Sequence, residues 1–459
     1  MLSKTKLILL LILAFITTAS SMSKPGNLPS DEFARRRAIF LEELRDLDAC
    51  AIFHTAPFYE RNHHVEYPYR QDSDFFYLTG WTQIEGILVF TPQKKSEGNA
   101  EVSIFVAPRD LKKELWTGPK LGVGDARILP GIDSAYDYSE FYDRLEKLMT
   151  GYERLVVSFG NDTAFENEFE RKTKDTSWGP ILVQEASSLL KSHRLIKSDA
   201  EIESLQKAID ITNQSLRDVL PIIPTLNFEY EVQAEIEYGF SKRGSVRLGF
   251  PSIIGAGNNT TYLHYEDNHG ELTAGSLLLM DVGAEWDYYS ADISRTVPVS
   301  GKFSTEQKAI YQLVLDAQAA AIKSVKPGVS WRTPHETAVE ILTSGLVELG
   351  LLTGDPADLI RDKSYRKFFM HGTSHWLGLD VHDAGGRVDG NGKPHILKAG
   401  MVLTVEPGIY IIEAEDVEPR WWNIGVRIED DVLVTRKGHR VLSQSIPKTI
   451  QEIEALMQP

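Results

Sequence analysis

The sequence predicts a mixed α/β protein in two domains, and three observations carry that expectation. The chain has 459 residues, more than one hydrophobic core usually serves. Short apolar runs of strand length alternate with amphipathic segments that open on helix-capping residues. A composition of 42% hydrophobic and 25% charged residues is that of an ordinary globular protein.

In order along the chain, the N-terminus places Lys4 and Lys6 before an apolar run from Leu7 to Ile16, then small residues ending in Ala19, Ser20 and Ser21. Basic, apolar, small is the order of a secretory signal, so residues 1–21 are expected to direct export to a periplasm or the exterior. Their removal takes away two lysines and no acid, so the formal charge of −16 becomes −18. A surface of that sign repels nucleic acid and anionic membrane, which excludes both as expected partners. No second apolar stretch approaches membrane-spanning length. Cys50 is the single cysteine, so no intrachain disulfide is available and the core must supply the stability. Asn-x-Ser/Thr sequons occur at Asn161, Asn213, Asn258 and Asn259.

Residues 30–190 form the first expected domain. "SDEFARRRAIFLEEL" has a helical pattern, and "EGILVFT", "EVSIFVAP" and "ERLVVSFG" have the pattern of strands. His63 and His64 lack a third metal-ligating partner nearby and are expected in a solvated loop. The second domain is expected over 196–447. Ser198 with Glu201 forms a capping box before Ile202, Leu205, Ile209 and Leu216, and this helix should stop before Pro221. Ser304 with Gln307, and Thr333-Pro334 with Glu336, announce two further helices.

The chemistry lies in the strands between those helices. "LLLMDVGAEWDYYSADIS" places Asp281 at the end of an apolar run and Asp292 soon after a turn; a hairpin centred between Trp286 and Asp287 would set the two opposite each other. "GMVLTVEPGIYI" and "NIGVRIEDDVLV" are expected to bury Glu406 and Glu429 in apolar strands. A carboxylate removed from water costs several kcal/mol, about, unless a cation compensates it. Arg295 and Arg427 are the neighbouring cations in sequence, too few for four acids, and the deficit points to metal. "HGTSHWLGLDVHD", residues 371–383, adds three of the chain's 12 histidines. Oxygen-rich sites with an imidazole suit Mn²⁺, Co²⁺ or Zn²⁺.

The ordered set Asp281, Asp292, His375, Glu406, Glu429 resembles the ligands of the pita-bread-fold dinuclear metallopeptidases, the group of aminopeptidase P, prolidase and methionine aminopeptidase. "YPYRQDSDFFYLTG" at 67–80 resembles the creatinase/prolidase-like N-terminal domain of aminopeptidase P, and "LIKSDAEIESLQKA" the opening helix of the catalytic domain. The resemblance spans residues 30–447. Trp376 after the ligand histidine looks like aminopeptidase P more than prolidase, where Phe or Pro is common at that place.

The resemblance implies a metal-dependent aminopeptidase that releases the residue preceding proline, through a hydroxide bridging two divalent ions, Mn²⁺ first and Co²⁺ or Zn²⁺ as alternatives. It implies that Glu406 shuttles the proton, that His264, His382 and His371 assist catalysis, and that His371, His382 and Arg427 bind substrate. Peptides with an Xaa-Pro N-terminus are the implied partners, and a homodimer or tetramer the implied assembly. Two other readings stay open: a prolidase restricted to Xaa-Pro dipeptides, and a pita-bread protein that has lost its metals and serves as a binding module.

Overall fold

The computed structural model describes residues 28–92, 101–160, 162–174, 176 and 182–458. The expected export signal at 1–21 and the sequon at Asn161 lie outside the described residues. The chain divides into two compact units, one ending at Leu190 and the other beginning at Lys191.

The first unit is built on a six-stranded mixed sheet in which Ala49–His54 lies between Gly86–Phe90, antiparallel to it, and Arg154–Val157, parallel to it. Ala49–His54, Gly86–Phe90 and Val102–Val106 are buried along their whole length, which is why they are mostly apolar rather than alternating. Helix Ser30–Asp46 closes on the sheet with Phe33, Phe40, Leu41 and Leu44; Phe40 meets Phe53 and Phe90 edge-on. His63 and His64 form the exposed turn between two short strands, both with positive φ. Among the described residues they join no group of potential metal ligands.

The second unit repeats one order of elements. Helices Asp199–Val219 and Glu229–Lys242 precede the antiparallel strands Leu277–Val282 and Ile293–Pro298; helices Thr305–Ser324 and Thr333–Glu348 precede a second antiparallel pair of chain segments, 402–411 and 424–434. The capping boxes at Ser198–Glu201 and Ser304–Gln307 both form, and the first helix stops at Val219 as Pro221 requires. Thr333 departs from expectation: it is the first helical residue, with Arg332 in the capping position and no side-chain cap. Pro334 tolerates either register, because the first turn leaves its amide without a partner in any case.

The first hairpin also differs in register from the sequence expectation. Trp286 pairs with Tyr289, so the turn is Asp287-Tyr288, with φ of 50° and 71°. Left-handed backbone at both positions suits the right-handed twist of the flanking strands, and aspartate tolerates it. Asp281 therefore faces Ser294, and Asp292 lies across from Gly283 rather than from Asp281. A side chain is excluded at Gly283, where a Cβ would stand 1.8 Å from the Ala291 carbonyl oxygen. Gly283→Ala is expected to destabilise the fold by about 1–3 kcal/mol, read from urea unfolding; a midpoint equal to the parent would contradict this register.

Candidate metal centre

The two segments 402–411 and 424–434 change sheets at the same level. Val402–Val405 pairs with Asp430–Val434, whereas Gly408–Ile411 pairs with Ile424–Arg427. Since Val405 faces Asp430 and Gly408 faces Arg427, Glu406 and Glu429 stand across from each other at the break. Neither glutamate is inside a strand, contrary to the sequence expectation. Each sits where the backbone leaves one sheet for another, and its main chain bonds outside the pair: Glu406 N–H to Thr373 O at 2.9 Å, Glu429 N–H to Ser294 O at 3.1 Å. That second bond joins the two hairpins, so their four carboxylates meet.

His375 reaches the same place from an irregular segment. Its N–H donates to Thr404 Oγ1 at 3.1 Å and its carbonyl accepts from Thr404 N–H at 3.0 Å, in the strand Val402–Val405 that leads to Glu406. The Trp376 carbonyl lies 3.1 Å from His375 Nδ1, which assigns the ring proton there and leaves the Nε2 lone pair free. Nε2 stands 3.2 Å from Asp292 Oδ2 and 3.8 Å from Glu406 Oε1. A lone pair and a carboxylate oxygen at that separation repel unless a proton or a cation lies between them.

The charge balance favours a cation. Among the described residues, Arg427 is the one arginine or lysine paired with any of the four acids, through Nη2 to Asp281 Oδ2 at 2.6 Å. Arg295, the other cation expected to help, turns away to Asp430. Burial, then the charge of Asp281, drives the Asp292 carboxyl well above the usual carboxylate range. Burial, Asp292 and Glu406 do the same to Glu429. Glu406 rises to about 7 through burial, with His375 and Arg427 opposing and Asp292 adding to the rise. Asp281 Oδ1 and Glu429 Oε1 are buried without hydrogen-bond partners, and ligand atoms of Asp292, His375 and Glu429 lie within 4.8 Å of one another. Orphaned carboxylate oxygens around an imidazole nitrogen are the donor set that hard or borderline divalent ions take. The residues fit.

The remaining residues singled out by sequence line the same cavity, of about 560 Å³, together with the five above. His382 packs edge-on against His375 with centroids 4.4 Å apart, and His264 enters from the loop after Thr261. Burial first, then Arg427, lowers His371 to about 3, so its ring is neutral. Its Nε2 lies 2.8 Å from Tyr410 OH, and Tyr410 OH accepts from Arg427 Nη1 at 3.1 Å. With burial pushing Tyr410 up to about 12, the phenol keeps its proton and donates it to His371. Arg427 also donates from Nε to Ser294 Oγ at 2.8 Å, and Ser294 Oγ donates to Glu429 Oε2 at 2.9 Å.

Sequence reasoning missed Tyr410, Ser294 and Asp431. The Asp431 carboxylate accepts from Asp292 N–H at 3.2 Å. Tyr410 lies in an apolar strand where a core role was the natural reading; its position two residues past the Glu406-Pro407 break was the available signal. Asp383, the last residue of the histidine-rich segment, borders the same cavity, but its carboxylate is held by two cations. It is buried between Arg194 Nη2 at 2.5 Å and Lys197 Nζ at 2.9 Å, anchoring the loop that carries His382.

Residues 203–436 match metallopeptidase family M24, and residues 33–157 match the aminopeptidase P N-terminal domain. The chain is similar to the Xaa-Pro aminopeptidase of Haemophilus influenzae, 39% identical over 436 residues, covering 94% of this chain and 98% of that one. It is 38% identical over 439 residues to the Xaa-Pro aminopeptidase of Escherichia coli K12, with the same coverage. The solved structure of Pseudomonas aeruginosa aminopeptidase PepP superposes with a TM-score of 0.88 at 40% identity, covering 94% of this chain and 98% of that one.

Burial alone would raise the Asp383 carboxyl, but Arg194 and Lys197 hold it at about 2. A carboxyl whose folded pKa lies below its unfolded value, about 3.9, contributes stability at neutral pH that is lost as pH falls. The stability advantage of the parent over Asp383→Asn should be constant from pH 7 down to about 5 and shrink between about 4 and 2, by urea unfolding at each pH. An advantage that grows on acidification would contradict the ion-pair account.

Proposed function

The chain belongs to metallopeptidase family M24, a metal-dependent aminopeptidase by family and relatives, and from that premise we propose that it removes the N-terminal residue from peptides with proline in second position. The observation that carries the reading is the convergence of Asp281, Asp292, His375, Glu406 and Glu429 in one cavity with a single arginine to offset the acids. These five are the proposed ligands of two divalent ions, with Mn²⁺ put first. When bound, the ions supply a nucleophilic water at neutral pH and a Lewis acid for the scissile carbonyl.

The chain's own residues do the rest. Glu406 takes the proton of the attacking water and delivers it to the prolyl nitrogen; that nitrogen carries no hydrogen in an Xaa-Pro bond, so it must be protonated to leave. Its Oε2 lies 3.6 Å from His371 Nδ1, within reach of a substrate held by both. His264 and His382 face the cavity as hydrogen-bond donors to the carbonyl oxygen as its charge develops. Phe250, Leu263 and Trp331 give the cavity an apolar wall for the proline ring. Arg427 acts in part through the protein: its bonds to Asp281, Ser294 and Tyr410 fix two acids and His371 around the substrate.

The proposal keeps 30–190 as the N-terminal domain and 196–447 as the catalytic domain. It includes export directed by residues 1–21 and a homo-oligomeric assembly. No helix among the described residues is long and apolar enough to cross a membrane. The exported protein should begin after the signal; cytosolic protein retaining Met1 would remove the export reading.

Mn²⁺-restored protein should release the first residue of Arg-Pro-Pro, cleave Ala-Ala-Ala little, and cleave the longer substrate better than Ala-Pro. Cleavage of Ala-Pro alone would make it a prolidase, and no cleavage with any ion would return it to a binding module. Glu406→Gln should fold normally yet lose at least about a hundredfold in kcat, and His375→Ala should lose bound ion together with activity. Parent-like turnover in either would overturn the site assignment.

A further inference from the structure

Glu229 is the first residue of helix Glu229–Lys242 and is wholly buried, with 0% exposure. Its carboxylate accepts four hydrogen bonds: from Ala256 N–H at 2.6 Å and Asn259 Nδ2 at 2.9 Å on Oε1, and from Tyr265 OH at 2.9 Å and Gly270 N–H at 2.6 Å on Oε2. None of these donors is a cation. All four belong to the segment 256–270, the one that carries His264. The helix N-terminus favours the negative charge, and four donors replace the water that burial removes.

The loop is shaped to this carboxylate. A Cβ at Gly270 would stand 2.6 Å from Glu229 Oε1, so a side chain there would push the carboxylate out of its place. One helical turn on, Gln233 Oε1 accepts from Asn268 Nδ2 at 2.9 Å, and Asn268 also bonds Ile254 N–H and the Ser252 carbonyl. Leu263 and Tyr265, which flank His264, pack on Ile253, Leu279 and Tyr410. With Tyr265 packed there, and Leu263 packed there at the cavity wall, His264 faces the same cavity.

We infer that Glu229 is the positioning residue that sets His264 in the catalytic cavity, by gathering the two ends and the middle of its loop onto one buried carboxylate. The inference rests on the proposed catalytic role of His264. Catalysis by such a donor requires it to be held in place before the charge develops, and an unanchored loop would spread His264 over several positions. Glu229→Gln keeps the size of the side chain but turns an acceptor oxygen into an NH₂ that faces donor groups.

The test is a double-mutant cycle on the ion-loaded full chain, with kcat, KM, bound ion and thermal midpoint read for each variant. Glu229→Gln should lower kcat at least about tenfold, with bound ion and KM for Arg-Pro-Pro little changed, and should cost less than about twofold when made in His264→Ala. Tyr265→Phe, which removes one donor and keeps the ring, should show a smaller loss of the same kind, and it carries the test if Glu229→Gln does not fold. Glu231→Gln, in the same turn but bonded to Asn227 N–H, should stay within about twofold of the parent. Parent-like kcat in Glu229→Gln, or losses that multiply fully with His264→Ala, would overturn the inference while leaving the proposed function standing. Parent-like kcat in His264→Ala would instead overturn the reading of His264 on which the inference rests.

Discussion

Four carboxylates held out of water around one arginine are the constraint from which the catalytic unit is arranged. Asp281, Asp292, Glu406 and Glu429 come from two antiparallel pairs of segments, and the N–H of Glu429 on the carbonyl of Ser294 draws those pairs together. Left alone, the acids repel, and three of them are raised out of the usual carboxylate range. The surroundings resist that repulsion with backbone already engaged elsewhere. Arg295 binds the carbonyls of Ser294 and Glu429 and the carboxylate of Asp430, while Lys448 also pairs with Asp430. Burial would raise Asp430, yet these cations hold it below its ordinary range. A buried, charged clamp behind the four acids thus fixes their backbone without neutralising the acids themselves.

That separation of tasks explains why neighbouring acids behave differently. Asp430 and Asp383 are given cations and stay ionised; Asp292, Glu406 and Glu429 are denied them. The first pair hold the scaffold together, and the second group is left with a need that a divalent ion meets. Aromatic packing supports the same geometry: Trp376 follows His375, packs tilted against Trp331 with ring centroids 3.9 Å apart, and donates from Nε1 to the Gly386 carbonyl at 2.7 Å. The histidine-bearing segment is therefore fixed despite having little regular structure.

Much of this was legible in the sequence, for physical reasons. The long helices announce themselves through capping boxes and apolar spacing, and acids inside apolar runs are conspicuous because they are costly. The hairpin register was not legible, since it depends on an Asp287-Tyr288 turn with left-handed backbone at both residues, which no glycine or asparagine advertises. Nor were the breaks at Glu406 and Glu429: an apolar run reads the same whether its strand continues or changes sheet. Tyr410, Ser294 and Glu229 were missed because their importance lies in partners far away in the chain, such as Arg427 for Tyr410 and Tyr265 for Glu229. The role of Asp383 was likewise hidden, because its carboxylate pairs with Arg194 and Lys197, far away in the chain.

The four acids and His375 are the proposed centre, whose excess negative charge would be met by protons when metal is absent and by divalent ions when it is present. Calorimetric titration of the metal-free protein with Mn²⁺ at pH 7, repeated in buffers of different ionisation enthalpy, tests it most directly. Tight uptake accompanied by net proton release is expected, because raised carboxyls must give up protons to bind the ion. Uptake without proton release, or no uptake at all, would contradict it.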